Sequence, residues 1–147
     1  MIENIVDGGQ LLAIILTHDH DASGIQFFTP DDFSQQLAYM HHPAGKVIEP
    51  HVHNPVRREV HYTQEVLFIK RGKLRVDFYT EHQAYLSSRV LVGGDVLLLA
   101  TGGHGFEVLE EIEMIEVKQG PYAGALDKTR FTGVSATSIV MKGSARG

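Results

Sequence analysis

The chain has 147 residues, nine of them His and none Cys, with 13 Lys+Arg against 18 Asp+Glu for a net charge of −5. That length suits one domain over residues 1–147, with a core that buries roughly two-thirds of the unfolded surface. The lack of cysteine excludes a disulfide framework, a thiolate metal site and a cysteine nucleophile. The mild acidity speaks against nucleic acid or an anionic membrane as partner, since both need clustered positive charge.

The chain opens on Glu3 and Asp7 where a targeting signal needs Lys or Arg, and its first apolar run, Leu11 to Leu16, is too short to span a bilayer. A cytoplasmic location is expected. Segments 10–17, 25–29, 36–41, 45–49, 66–70, 73–79, 96–100 and 113–118 are rich in Val, Ile, Leu, Phe and Tyr, are separated by Gly and Pro, and read as strands. Residues 31–35, after Pro30, can form a short helical turn capped by Asp31 or Asp32. The stretch Lys73 to Phe78 alternates polar and apolar side chains, as a half-buried strand requires. Short strands, Gly-rich turns and no long helical period predict an all-β domain, a sandwich or barrel. From Thr132 the pattern thins into Gly, Ser, Ala and Thr, so 132–147 is either a tail or a strand exchanged with a partner chain.

The histidines carry the chemical signal. His51 and His53 are two residues apart, so on a strand both rings project from one face, as two ligands of one metal must. A solvent-facing strand can carry the same pair. Glu65 opens an apolar strand and needs a cationic partner, an arginine or a metal, if it is buried. His104 lies in the turn-rich Thr101-Gly102-Gly103-His104-Gly105, either as a turn residue or as a third imidazole ligand. The remaining histidines read differently. His18 and His20 belong to a solvated turn, adjacent His41 and His42 point to opposite faces, and His82 sits in an exposed hairpin.

Gly45, His51 and His53, followed by Glu65 and Gly72, resemble the first motif of the cupin superfamily; Gly94, Ala100, Gly102 and His104 resemble its second. The resemblance implies a cupin-type double-stranded β-helix, a jelly-roll barrel, holding a divalent metal on His51, His53, Glu65 and His104. It also implies a homodimer, an expectation to which the many large residues on the apolar strands add. Imidazole donors suit Zn, Fe, Ni and Cu, and the carboxylate admits Mn. The chain departs from the family pattern in the longer spacing between His53 and Glu65, in Ala100 where proline is usual, and in the shorter spacing between Gly102 and His104.

The long spacing is an insertion, Asn54 to Gln64, tethered at both ends beside the expected metal. It can cover or select a ligand, or be an ordinary hairpin extension. Arg57 and Arg58 are suited to a phosphate or carboxylate, and Tyr62 to a hydrogen-bonding wall. His61, which shares Glu65's face if the segment is a strand, and Glu59 are the candidates to move a proton. Similarity of the segment ending Gly120-Pro121-Tyr122 to small cupins of surface-polysaccharide biosynthesis points to a small-molecule ligand, an anionic sugar derivative. Three roles follow as expectations: a metal-dependent isomerase or epimerase on a sugar or sugar nucleotide, a dioxygenase, and a non-catalytic binding module.

Overall fold

In the computed structural model, which describes residues 1–143, the apolar run 11–16 lies wholly within a strand that is buried on both faces. This strand, β2 (Gln10–Leu16), runs between β1 (Ile2–Asp7) and β7 (Val96–Leu99), antiparallel to both. Alternation divides its side chains between two cores. Ala13 and Ile15 pack with Leu97 and Leu99 inside the main sheet, while Ile14 and Leu98 pack on the other face with Leu37, Phe28 and Phe33. An uninterrupted hydrophobic run is what a strand with two buried faces needs.

The sheet continues from β7 to β5 (Glu65–Tyr79) and β6 (Tyr85–Val92), and β8 (Gly103–Lys118) pairs with β5 along nearly its whole length. All pairings are antiparallel and the sheet is curled, a half-barrel around Leu74, Val76, Phe78 and Leu91. A separate two-stranded sheet joins β3 (Gly24–Phe27) to β4 (Ala38–His41). The only helices among the described residues are single 3-10 turns, Gly124–Leu126 and Ala136–Ser138, so no described helix is long and apolar enough to cross a membrane.

The all-β expectation holds, and several boundaries shift. Segments 66–70 and 73–79 are one strand, because Gly72 is a bulge inside β5 and not a turn between two strands. Its φ of +99° suits either role, and pairing of both halves to β8 decides it. His104 belongs to β8, which begins ten residues before the expected 113. β1 and β6 are additional strands, residues 31–35 form turns and not a helix, and 45–49 form no strand. The expected tail lies along its own chain as far as it is described. Ser88 N–H donates to Val140 O at 2.8 Å, Lys142 N–H donates to Ser88 O at 3.0 Å, and Val134 N–H donates to Tyr79 Oη at 2.9 Å. Residues 144–147 lie outside the described residues.

At the middle of the β5–β8 pair Glu113 accepts from Lys70 Nζ and Arg71 Nε, both at 2.7 Å, and these two cations bring its carboxyl from an ordinary 4.5 down to about 2. A depressed carboxylate stabilises the fold above its unfolded pKa and loses that contribution as pH falls through the folded value. Thermal melts from about pH 5 down to pH 2 should therefore fall more steeply for the native chain than for Glu113→Gln. Parallel curves would show that this solvent-exposed cluster adds no stability.

Candidate functional site

Curling of the sheet brings together two of the four expected ligands. Glu65 starts β5 opposite Leu99, the last residue of β7, and a short turn carries the chain from there into β8. His104, paired with Phe78 at the far end of β5, thereby reaches back to Glu65, with Nε2 at 3.4 Å from Oε2. The Glu65 side chain is 12% exposed and that of His104 31%. Glu65 shares a sheet face with Leu67 and with its cross-strand neighbours Lys118 and Glu116, as antiparallel register requires.

The surrounding charges form a chain. Lys118 Nζ lies 3.6 Å from Glu65 Oε1 and 2.9 Å from Asp127 Oδ2, and Thr63 Oγ1 donates to Asp127 Oδ1. The contact with His104 is the largest influence on Glu65 and holds its carboxyl below the usual range, assisted by Lys118 and opposed by burial. Glu116 is pushed up, first by local desolvation and then by the negative charge of Glu65. Asp127 is held low by the Thr63 hydroxyl and by Lys118, and the Lys118 ammonium is correspondingly raised, chiefly by Asp127. Of the two neighbouring glutamates, Glu65 is thus the one that stays anionic and available to a cation.

This cluster opens into a cavity of about 800 Å³ whose wall includes Glu65, His104, Phe106, Tyr62, Lys128 and Arg130. Its volume fits a small-molecule ligand. Tyr62 donates its hydroxyl to Glu81 Oε1 at 3.4 Å across the rim. Glu116, Lys118, Asp127, Lys128 and Arg130 were not singled out from sequence. Alternation of Glu116 and Lys118 with Ile115 and Val117 puts the two on one face, but only the register with β5 reveals that this face is Glu65's.

The other expected residues lie apart. Residues 43–63 form an arm without strand or helix, every residue of it exposed. His51 and His53 face each other there with ring centroids 5.2 Å apart, and His51 Nδ1 lies 2.9 Å from Glu49 O. His61 Nε2 stands 3.8 Å from Glu59 Oε2 on the same arm, so His61 does not share the inward face of Glu65. Arg57 and Arg58 are exposed beside them, and the structure gives neither an acidic partner among the described residues. No three His, Asp or Glu side chains among the described residues are grouped to hold one ion. Two half-sets of donors result, an imidazole pair on the arm and an imidazole–carboxylate pair in the cavity. Comparison with protein-family models, curated proteins and solved structures returns no match.

Proposed function

We propose that the chain is a metal-binding cupin, a jelly-roll barrel with an ion at Glu65 and His104, and that it acts on a sugar or sugar nucleotide in the manner of an isomerase or epimerase. The observation that carries this reading is the 3.4 Å between His104 Nε2 and Glu65 Oε2 on the wall of an open cavity. Two donors each about 2.1 Å from a common ion in tetrahedral geometry stand about 3.4 Å apart, so the pair fits one edge of such a site. Zn, Fe, Mn and Ni all accept this donor combination, with His51 and His53 as the further imidazoles. A bound ion would supply polarisation of a carbonyl or hydroxyl group. The chain's own residues would do the rest: Lys128 and Arg130 at the cavity, with Arg57 and Arg58 on the arm, attract a phosphate or carboxylate, and His61 beside Glu59 moves a proton. A cavity wall carrying lysine, arginine and carboxylate groups favours this polar chemistry over a dioxygenase.

Elemental analysis of the untagged protein tests the reading. Near-stoichiometric divalent metal is expected, falling at least tenfold in His104→Ala and in Glu65→Gln. A native protein that stays metal-free after reloading would sink it. Metal with affinity for sugar phosphates but no turnover, unchanged by His61→Ala, would leave the binding-module role in its place.

A further inference from the structure

A compact protein of this chain's 16.3 kDa exposes about 7,500 Å², whereas this chain exposes 9846 Å². The excess, about 2,300 Å², is more than twice what one partner buries in an interface of standard size. Two exposed places on the chain complement each other.

One is the arm 43–63. Among the described residues its backbone makes a single internal backbone–backbone hydrogen bond, Lys46 N–H to Pro43 O at 3.2 Å. Holding so many residues in one conformation costs about 1–2 kcal/mol each in backbone entropy, which a surface to lie on would offset. Between its prolines Pro50 and Pro55, and apart from Val47 and Arg58, the arm separates apolar from polar side chains by alternation. Ile48, Val52, Val56 and Val60 fall at even positions and His51, His53, Glu59 and His61 at odd ones. Both ends are anchored. β4 holds one, and Gln64 holds the other, its buried Oε1 accepting from Gln35 N–H at 2.9 Å and Ser34 Oγ at 3.2 Å.

The other place is β8. It is sixteen residues long and pairs only with β5 among the described residues, so its outer edge offers a row of backbone donors and acceptors. Phe106 and Val108 are exposed on the face they share with Val76 and Leu74, toward the cavity, and Ile115 and Val117 are exposed on the opposite one beside Phe68. A long unpaired edge that carries exposed apolar side chains between its glutamates is a receptor for an added strand.

We infer that the arm of a second copy of this chain occupies the β8 edge. Each copy carries both an unpaired strand sequence and an unpaired edge, and a two-fold axis satisfies both pairs at once. With the arm added as a strand, its odd-numbered face turns toward the cavity and its even-numbered valines leave solvent. His51 and His53 of one copy then complete the half-set at Glu65 and His104 of the partner subunit. This last step rests on the metal-binding reading; the exchange itself does not.

Sedimentation equilibrium of the full chain should give a dimer. Val52→Glu with Val56→Glu on the arm, and separately Ile115→Glu on the edge, should halve the mass while the β-sheet circular dichroism is kept. A native monomer, or a dimer that both variants preserve, overturns the exchange. The shared site is read by co-refolding His51→Ala/His53→Ala chains with Glu65→Gln/His104→Ala chains, neither of which binds zinc well alone. Sharing in trans predicts about a quarter of the native zinc per chain, because half the dimers are mixed and each of those has one intact site. Zinc in the native dimer but none in the mixture places all four donors in one copy and overturns the sharing. A dimer that dissociates in both variants, yet binds no zinc as the native chain, overturns the metal reading and leaves the exchange standing.

Discussion

Gly72→Ala should lower stability by about 3 kcal/mol or more, one of the largest effects expected from any single methyl group in this chain. Gly72 has φ +99°, where an L side chain is strained by itself. The added Cβ would also fall inside the van der Waals envelope of Glu111 O, with Ile112 Cα only 2.9 Å away. Those are backbone atoms of β8, so relief requires the two longest strands to part at the bulge. The same strands carry Glu65 and His104, and loosening them at the centre should also spread that pair. Urea unfolding is the direct measurement, with a lowered midpoint and unchanged slope expected. An alanine variant as stable as the native chain would show that the bulge can move to another residue at no cost.

Asp95→Ala is the second large effect, at about 2–5 kcal/mol. Asp95 is fully buried. Its Oδ1 accepts from His18 N–H at 2.8 Å and faces His18 Nδ1 at 3.2 Å, while Oδ2 accepts from Val92 N–H at 2.9 Å. Two elements depend on it, the turn after β2 and the turn joining β6 to β7. Alanine leaves two part-buried backbone donors without their carboxylate, and an unsatisfied donor costs about 1–3 kcal/mol when water cannot reach it. Asp95→Asn keeps one acceptor oxygen and should fall between alanine and the native chain. Equal stabilities for all three would show that water replaces the carboxylate fully. A stability of about 5–15 kcal/mol is usual for a domain, so either variant consumes a substantial fraction of it.

The sequence made the composition of the core legible but not which strands meet. The buried run in β2 and the alternation at the end of β5 are local patterns, and both lie where periodicity places them. β1, with Ile2, Glu3, Asn4 and Ile5, has no pattern of its own and becomes a strand by pairing with β2. Residues 45–49 are the opposite case, since Val47 and Ile48 favour a strand that no described neighbour pairs. The candidate site divides along the same line. Glu65 and His104 were singled out individually and the curled sheet joins them, whereas Asp127 and Lys118 matter only through contacts with distant residues. His51 and His53 form a pair as their spacing suggests, on an arm whose docking surface no local pattern specifies.

The pairing of β2 with β7 also has a bearing on synthesis. Ala13 lies opposite Leu99 and Leu16 opposite Val96. A strand that is apolar from Leu11 to Leu16 therefore leaves the ribosome, with β1 along one edge, well before its second neighbour exists. At about 5–20 residues per second that wait lasts several seconds, an interval in which nascent chains with bare strand edges are prone to aggregate. The charged β1, with Glu3 and Asp7, is on hand throughout to shield one edge of β2 until β7 arrives.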